Sequence, residues 1–427
     1  MSILLKNARI LKMTAEPIFE GEIVVTGNKI EYVGPKRKHT EKFEQEIDCE
    51  GNLVMPGFKN AHAHSGMSFL RSRADDMALA EWLSEQVFPY EAFLTEEDIY
   101  WLSQLSFLEY LTSGITAAFD QYYFPQATAK AAEDFGMREL ILITSSQQSR
   151  IGYDEMLQKI GENDRGALVN YCLGFHAEYT VEPEEIEIIK AVSKKLKTPF
   201  FTHLAETRKE VSECKERRDG MTPAEFVDSL GLWDYGGGAY HCCYMTANDL
   251  KIFKEKDLSV VSCPASNAKL ASGIAEIETM RRESIEIALG TDGPASNNAL
   301  DMFREMFLVA GLQKILCKDP VATPAWEVLK MATLGSAHAM NLEDANILEA
   351  GKFADLIMVD LKRPNMQPLH HITNNLVFSG SKENIKMTMI NGKILYKDGE
   401  FQTKISADKV YNKVQEISDR IFGKVVR

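Results

Sequence analysis

The stretch LVMPGFKNAHAH, residues 53–64, carries the clearest sign of both fold and chemistry in this chain of 427 residues. It opens with three apolar residues typical of a buried strand, turns at Pro56 and Gly57, and ends in two histidines. Side chains on a strand alternate between its faces, so His62 and His64 point to the same side. Two imidazoles on one face can bind one divalent metal ion, although such pairs are about as often satisfied structural residues.

The composition is typical of a large globular protein. Hydrophobic residues make up 45% and charged residues 26% of the chain. The length exceeds one ordinary core and fits one large barrel with a smaller module. The formal net charge of -14, without a long basic cluster, opposes binding to nucleic acid, whose phosphates need a positive surface. We therefore expect a small molecule as the partner, not a nucleic acid.

The sequence predicts neither a membrane span nor a signal peptide. Membrane spans need about 20 apolar residues in a row, which this sequence does not offer, and the N-terminus is too weakly apolar for a signal peptide. The seven cysteines are spread out, with only Cys242 and Cys243 adjacent, which is typical of reduced thiols. We expect a cytoplasmic protein without membrane contact. A homo-oligomer is an open alternative to a monomer.

Both ends of the chain are rich in short β-patterns. Residues 22–34 form two β-rich runs around Gly27-Asn28, and residues 387–396 form a second hairpin that turns at Asn391-Gly392. Neither end is long enough for a core of its own, so we predict that together they form one small β-sandwich. The predicted domains are 1–55 for the first part of the sandwich, 56–345 for the barrel, and 346–427 for the second part with a C-terminal helix.

The middle of the chain alternates amphipathic helical patterns with short apolar strands. This alternation favours parallel strands. The number of such units predicts an α/β fold with a (β/α)8 TIM-type barrel, and a glycine-rich dinucleotide motif that would favour an open sheet is missing. Beyond the first strand, the predicted strands include 114–120, 140–143, 169–174, 199–202, 258–262 and 285–290.

Polar residues come directly after several of these strands. His176, His203, His241 and Asp292 each follow an apolar run, and Glu206 lies three residues beyond His203. Catalytic residues of barrels sit at the C-terminal ends of the strands. A single histidine in such a place is more often structural than catalytic. Four polar residues in register with a His-x-His pair are hard to attribute to packing.

These residue types predict a metal-dependent hydrolase. Three neutral imidazoles and one carboxylate suit a single Zn²⁺ or Fe²⁺ ion, which lowers the pKa of bound water toward about 7 and so provides hydroxide. Glu206 can move protons, His241 can polarise the attacked centre, and Asp292 can accept a proton from the water. We expect hydrolysis at a planar, electrophilic carbon. The predicted metal ligands are His62, His64, His203 and Asp292.

Five stretches of the sequence together resemble the motifs of a known protein family. They are residues 56–64, THLAET at 202–207, SNAKLASG at 266–273, LGTDGPASNN at 289–298 and GKFADL at 351–356. With them the chain resembles the amidohydrolase superfamily, and within it the methylthioadenosine/S-adenosylhomocysteine deaminase-like aminohydrolases. The resemblance covers nearly the whole chain. It implies hydrolytic loss of ammonia from a cyclic amidine in a purine-type ring, by metal-bound hydroxide, with one metal ion that is usually zinc.

The resemblance also implies roles for individual residues. Glu206 matches a proton-shuttling glutamate, His176 matches a histidine that contacts the substrate, and Glu91 matches an acid that holds ribose hydroxyls. Binuclear members carry a carboxylated lysine on the fourth barrel strand, and residues 173–176 contain no lysine, which implies a mononuclear site. The expected catalytic groups are Glu206, His241 and Asp292, and the expected substrate contacts are Glu91, Arg150, His176, Glu206 and His241.

One departure from the family leaves the substrate open. Relatives acting on nucleoside thioethers use arginines after the third strand, but Arg150 is the only cation in residues 143–150. This weakens the case for a carboxylate-bearing tail such as that of S-adenosylhomocysteine, so methylthioadenosine, adenosine or another aminated heterocycle is comparably favoured. The alternative function is hydrolysis of another bond on the same scaffold: a cyclic amide, or an N-alkyl or halide group on a heterocycle.

Overall fold

The computed structural model describes residues 2–40, 42–73, 75–145 and 151–425, with side chains up to residue 423. Its described strands form two sheets, an eight-stranded parallel sheet and a nine-stranded mixed sheet. The predicted architecture, a TIM-type barrel with a β-unit built from both ends of the chain, is confirmed.

The mixed sheet joins the two ends of the chain. Its strands are β1 (Ser2–Ile10), β2 (Phe19–Thr26), β3 (Lys29–Gly34), β4 (Gln45–Asp48), β5 (Leu53–Pro56), β14 (Leu356–Val359), β15 (Ile385–Ile390), β16 (Lys393–Lys397) and β17 (Glu400–Phe401). Their order is β17-β16-β15-β14-β5-β1-β2-β3, with β4 beside β1. Strand β5 pairs with β1 in parallel and with β14 antiparallel. The chain therefore leaves this sheet and returns to it at neighbouring strands.

The two predicted hairpins form at the expected turns. Strands β2 and β3 turn at Gly27-Asn28, and β15 and β16 turn at Asn391-Gly392. The turns touch each other, because Asn28 Nδ2 donates to Asn391 Oδ1 at 3.1 Å. Gly392 has φ +74°, and a Cβ there would lie 2.9 Å from the Asn28 Cα, so both backbone conformation and space require glycine.

The barrel strands follow one another in chain order. They are β6 (Phe58–Ala63), β7 (Ile115–Asp120), β8 (Arg138–Ile143), β9 (Val169–Gly174), β10 (Phe200–Leu204), β11 (Gly237–His241), β12 (Ser259–Ser262) and β13 (Glu286–Leu289). The last strand meets the first through the loop after β13: the amide of Asp292 donates to the His62 carbonyl at 3.0 Å, and the amide of Thr291 to Asn60 Oδ1 at 2.8 Å. Gly290 permits this approach, since a Cβ there would lie 2.7 Å from that of His62.

Strand β10 ends two residues later than predicted. It pairs with β11 as far as Leu204, which lies opposite His241. His203 is therefore part of the strand and does not follow it. Neighbouring strands decide where a strand ends, and a run of apolar residues does not reveal that pairing.

Helices surround the barrel and cover its open end. Four of them, α3, α7, α8 and α9, begin at a threonine capping box, in which the threonine and an acidic residue three positions on satisfy each other's backbone amides. The predicted C-terminal helix is present as α16 and packs on α3. The helices are α1 (Leu79–Glu81), α2 (Phe88–Glu91), α3 (Glu96–Thr112), α4 (Pro125–Phe135), α5 (Tyr153–Gly161), α6 (Pro183–Leu196), α7 (Arg208–Arg217), α8 (Pro223–Ser229), α9 (Ala247–Glu255), α10 (Pro264–Lys269), α11 (Ile277–Arg282), α12 (Met302–Cys317), α13 (Ala325–Lys330), α14 (Ser336–Ala339), α15 (Ile372–Phe378) and α16 (Ala407–Val425).

The structure also contains shorter helical turns of two types. Turns of 3₁₀ type lie at Ser65–Leu70, Glu343–Ala345, Pro364–Met366 and Lys382–Asn384, and π-type turns lie at Trp82–Val87 and Met331–Gly335. Within the described ranges, no helix combines the length and apolar character that crossing a bilayer requires. The division of the chain at 55/56 and 345/346 stays a prediction.

A buried ion pair joins the barrel to the mixed sheet. Arg138 at the start of β8 donates through Nε to Asp355 Oδ2 at 2.6 Å and through Nη2 to Oδ1 at 3.2 Å. The Asn391 amide also donates to Asp355 Oδ1, at 2.7 Å. Burial alone would raise the pKa of the Asp355 carboxyl, but the Arg138 guanidinium holds that pKa below its ordinary value. The pair therefore fixes one sheet against the other.

Candidate active site

Four histidines and an aspartate converge at the C-terminal end of the barrel. His62 is on β6 and His64 directly follows that strand. His203 lies on β10, and His241 is the last residue of β11. Asp292 comes three residues after β13. Five side chains that are far apart in sequence thus meet in one place, as the register of the strands predicts.

The nitrogen and oxygen atoms of this cluster have the spacing of a tetrahedral metal site. Nε2 of His64 lies 3.2 Å from Oδ1 of Asp292 and 3.4 Å from Nε2 of His203. Nε2 of His62 lies 3.4 Å from the same Asp292 oxygen. Tetrahedral ligands about 2.0–2.1 Å from zinc lie about 3.3–3.4 Å from each other. These three distances therefore match those between ligands of one zinc ion.

His241 stands close enough to compete with His64 for a place in the ligand set. The ligating atoms of His62, His203, His241 and Asp292 all lie within 4.8 Å of one another. The cluster is thus a metal-binding site of three histidines and one aspartate, and proximity alone allows either His64 or His241 as the third histidine.

His62 carries an independent sign that a cation belongs here. Its side chain is fully buried, and neither ring nitrogen has a hydrogen-bond partner among the described residues. An unsatisfied buried polar group costs about 1–3 kcal/mol, so native structures contain few of them. A metal ion bound at Nε2 would satisfy one of these atoms. Imidazole and carboxylate together suit zinc and similar divalent ions.

Backbone carbonyls determine which ring nitrogen of His64 and of His203 is available to a metal ion. Nδ1 of His64 lies 2.5 Å from the Gln121 carbonyl, and Nδ1 of His203 lies 2.7 Å from the His176 carbonyl. A carbonyl only accepts, so each Nδ1 carries a hydrogen and each Nε2 is the nitrogen directed to the cluster. This is the usual support for a metal-ligating histidine.

Asp292 is held as an anion with one oxygen directed to the histidines. Its Oδ2 accepts from Ser266 Oγ at 2.5 Å and from Ser296 Oγ at 2.7 Å. Burial raises the pKa of this carboxyl, but the close imidazoles of His62 and His64 outweigh burial and hold the pKa well below its ordinary value. Oδ1 is left to face the cluster.

The protonation of the histidines also favours a cation. Burial lowers the pKa of His62 to about 3 and that of His176 to about 4. Burial, with the neighbouring histidines, holds the pKa of His203 well below its ordinary value. Burial opposes a charge on His64 as well, but Asp292 raises the pKa of His64 to about 9. Neutral imidazole is the form that binds a metal ion, and on His64 the ion would take the place of a proton.

Glu206 lies beside the cluster with its two oxygens in different surroundings. Oε1 accepts from Ser272 Oγ at 2.7 Å, and Oε2 lies 3.8 Å from Nε2 of His241. Its backbone amide donates to Glu210 Oε2 at 2.8 Å, within the capping box that begins α7. The start of α7 thus fixes the backbone of Glu206, and Ser272 holds the end of its side chain.

Predicted site residues from several elements line one cavity of about 850 Å³. Its lining includes His64, Glu91, His176, His203, Glu206, His241 and Asp292. Fully buried His62 is not part of the lining and lies behind it. Arg150 lies outside the described residues. Of the predicted substrate contacts, Glu91, His176, Glu206 and His241 therefore border the same space.

Two tyrosines hold Glu91, which lies in the last turn of α2. Tyr122 Oη donates to Glu91 Oε1 at 2.5 Å, and Tyr123 is a second hydrogen-bond donor to this carboxylate. Burial raises the pKa of Glu91 above its ordinary value, although hydrogen bonds from the two tyrosines act to lower it. Both tyrosines line the cavity with Glu91. The arrangement directs a carboxylate into a site that a ligand can reach.

Four residues at or beside the cluster have left-handed backbone. Ala205, His241, Cys242 and Asp292 have φ between +49° and +69°, which is uncommon for residues with a Cβ. Such conformations cost about 1–3 kcal/mol each and persist where the surroundings hold them. They turn the chain sharply where β10, β11 and β13 end.

The sequence did not reveal the groups that hold these side chains. Ser266, Asn267 and Ser272 contact Asp292, His241 and Glu206, and all three come from SNAKLASG at 266–273. That motif contributed to the family resemblance, but no residue in it had an assigned role. Strand alternation could not have found them, because they lie in a short helix and the loop after it.

Comparisons with known proteins agree with this geometry. A profile of the Amidohydrolase family matches residues 53–395. The 5-methylthioadenosine/S-adenosylhomocysteine deaminase of Caldanaerobacter subterraneus subsp. tengcongensis is 36% identical over 431 residues, covering 99% of each chain. The 5'-deoxyadenosine deaminase of Methanosarcina mazei is 34% identical over 432 residues, also covering 99% of each chain. A zinc-bound adenosine deaminase from Xanthomonas campestris is 30% identical, with a TM-score of 0.90 over 99% of this chain and 98% of that one.

Proposed function

The chain is an aminohydrolase that belongs to the amidohydrolase family, and we propose that it removes the amino group of an adenosine-type nucleoside by hydrolysis. The observation that carries this proposal is the position of Glu206. Its Oε2 lies 3.8 Å from His241 Nε2, beside the metal-binding cluster and on the wall of the same cavity. A carboxylate there can move protons between an attacking water and a heterocycle.

We assign His62, His64, His203 and Asp292 as the metal ligands. Three distances of 3.2–3.4 Å between their ligating atoms and the unpartnered nitrogens of His62 support this set. The zinc in the related adenosine deaminase favours zinc. When bound, the ion supplies an acidified water and polarisation of the attacked group.

Glu206 and Asp292 carry the proton transfers of the proposed reaction. Water adds to the ring carbon that bears the amino group, and the adjacent C=N π bond opens as Glu206 delivers the proton of that water to the ring nitrogen. The bond from carbon to the amino group then breaks, and ammonia leaves with the second proton of the water, which restores a C=O group. His241 stabilises the developing charge at the attacked centre, and Asp292 accepts the second proton and passes it on.

Glu91 and His176 hold the nucleoside. Glu91 accepts from Tyr122 through Oε1, and a carboxylate with about four acceptor positions can still accept the hydroxyls of a ribose. His176 borders the cavity close to His203, with ring centroids 4.6 Å apart. The cavity, at about 850 Å³, falls within the range of small-molecule sites, about 300–1,000 Å³. Arg150 as a further substrate contact stays a prediction.

The apolar wall of the cavity favours an apolar group at the 5' position. This wall comes from α1, the π-type turn and α2, and the described part of the lining contains no lysine or arginine. A methylthio or deoxy group suits such a surface, whereas a carboxylate needs a cation. The apolar residues are Leu79, Trp82, Leu83, Val87 and Phe88.

Ammonia release from a substrate panel tests the proposal. The zinc-loaded protein is given methylthioadenosine, 5'-deoxyadenosine, adenosine, S-adenosylhomocysteine, adenine, guanine and cytosine. We expect turnover of the adenosine-type nucleosides, with methylthioadenosine or 5'-deoxyadenosine ahead of S-adenosylhomocysteine. If no nucleoside released ammonia although metal was bound, the proposed reaction would be rejected.

A further inference from the structure

One short segment of the chain touches three groups of the site. Ser266 and Asn267 belong to α10, and Ser272 lies in the loop after it. Ser266 Oγ donates to Asp292 Oδ2 at 2.5 Å, and Ser272 Oγ donates to Glu206 Oε1 at 2.7 Å. Asn267 Oδ1 lies 2.8 Å from Nδ1 of His241. All six side chains in these contacts are buried.

We propose that Asn267 and Ser272 are positioning residues that set the acid–base geometry of the Glu206–His241 pair. This inference rests on the proposed deaminase function. Ser272 holds Oε1 of Glu206, so Oε2, at 3.8 Å from His241, is the oxygen left free to carry protons. Asn267 accepts from Nδ1 of His241, so this histidine presents Nε2 to the cavity.

The segment is rigid enough to perform this task. Lys269 Nζ donates to the Ala295 carbonyl at 2.9 Å and to Asn298 Oδ1 at 2.8 Å, which ties α10 to the loop after β13. The Ala265 amide donates to the buried Glu305 Oε2 at 3.0 Å. Gly273 has φ +153°, and a Cβ there would lie 2.7 Å from Tyr244 Oη, so the chain after Ser272 follows one path.

Hydrogen-bond direction makes the two contacts specific. The serine hydroxyl donates to a carboxylate, a charge-assisted bond that is stronger than a neutral one. The asparagine oxygen only accepts, which fixes the hydrogen of His241 on Nδ1. Without Asn267, both tautomers of His241 become accessible, and without Ser272 the Glu206 carboxylate is free to rotate.

Steady-state kinetics of the zinc-loaded protein test whether Ser272 positions the Glu206 carboxylate. We expect Ser272→Ala to lower kcat about tenfold or more with KM nearly unchanged, because a misplaced proton carrier slows chemistry and not binding. Ser272→Thr keeps the hydroxyl and is expected to restore most of the rate. Ser193→Ala is the matched control, since Ser193 is equally buried on α6 and its hydroxyl has no partner among the described residues.

A double-mutant cycle separates positioning of Glu206 from a general structural effect. If Ser272 acts through Glu206, adding Ser272→Ala to Glu206→Gln costs no further rate, because coupled residues are not additive. An equal loss in both backgrounds would overturn the Ser272 assignment.

Two measurements decide the proposal without any turnover, so its failure is distinguishable from failure of the deaminase function. A crystal structure of Ser272→Ala is expected to show the Glu206 carboxylate rotated or in two conformers, and an unmoved Glu206 would overturn the proposal. ¹⁵N NMR of the histidines is expected to show the Nδ1–H tautomer of His241 in the wild type and a mixture in Asn267→Leu. The same tautomer in both proteins would overturn the Asn267 arm.

Discussion

Oε2 of Glu206 lies 3.8 Å from Nε2 of His241, and both residues are buried at the end of the barrel. Glu206 enters from the turn between β10 and α7, and His241 ends β11. Both side chains line the same cavity. A carboxylate and an imidazole side by side on the wall of a substrate site can exchange protons with one bound molecule.

Replacing Glu206 removes the proposed proton carrier without touching the metal ligands. We expect Glu206→Gln to keep the metal and to lower turnover about a hundredfold or more, since general acid–base groups contribute about 10²–10⁴-fold. Elemental analysis for metal alongside ammonia release checks this. Near-normal turnover with full metal content would remove Glu206 from its role.

Two histidine variants decide between the candidate ligand sets. We expect His64→Asn to lose most of its zinc, because His64 Nε2 lies 3.2 Å from the Asp292 oxygen. His241→Asn is expected to keep close to one zinc per chain while losing turnover. Zinc per chain is measured after equal exposure to metal and dialysis. The opposite result, with zinc lost from His241→Asn and kept by His64→Asn, would make His241 the ligand.

Glu91 is expected to matter for nucleosides and not for free bases. Glu91→Gln removes the charge and replaces one acceptor oxygen by an NH₂ donor, so KM for methylthioadenosine should rise about tenfold or more, the cost of a charged hydrogen bond. Any turnover of adenine should change little. Tyr122→Phe should show a weaker form of the same effect, and Tyr100→Phe, whose hydroxyl bonds Asp134 away from the cavity, is the control. Equal losses on nucleoside and base would reject the ribose contact.

The Arg138–Asp355 pair is expected to stabilise the whole fold. Asp355→Asn leaves a buried arginine without its counter-charge, which costs about 3–5 kcal/mol in the free energy of unfolding. Glu283→Gln, which breaks the exposed Lys254–Glu283 pair, is the control and should cost less than about 1 kcal/mol. Urea denaturation at neutral pH compares them, and equal losses would contradict a structural role for the buried pair.

The Arg138–Asp355 pair also makes the stability of the fold depend on pH, in a direction that follows from the lowered pKa of Asp355. The folded-state pKa of Asp355 is lowered relative to the unfolded chain, so its stabilisation is present above the unfolded pKa of about 3.9. It is lost as the pH falls through the lower, folded-state value. The wild type should therefore lose stability below about pH 4 more steeply than Asp355→Asn. Parallel curves for the two proteins would contradict this assignment.

The sequence predicted the elements that carry strong local patterns. Strand β9 matches its prediction, and both hairpins turn at their predicted glycines, because alternation and turn residues are local signals. The five residues of the cluster were predicted to meet because parallel strands bring their C-terminal ends to one edge. None of this needed knowledge of contacts distant in sequence.

The supporting contacts could not be predicted in the same way. Ser272 and Glu206 are 66 residues apart, and Arg138 and Asp355 are 217 residues apart. No periodicity connects such pairs, because their contact depends on how complete elements pack. The predicted end of β10 was wrong for the same reason, since pairing with β11 determines where the strand ends.

The most direct test of the central claim is a zinc titration of the metal-stripped protein with ammonia release from methylthioadenosine as the readout. We expect ammonia release to rise linearly and to level off at one zinc per chain, and Glu206→Gln to bind the same zinc without gaining comparable activity. Full turnover by the metal-stripped protein, or no ammonia at one zinc per chain, would rule out metal-dependent deamination at this site.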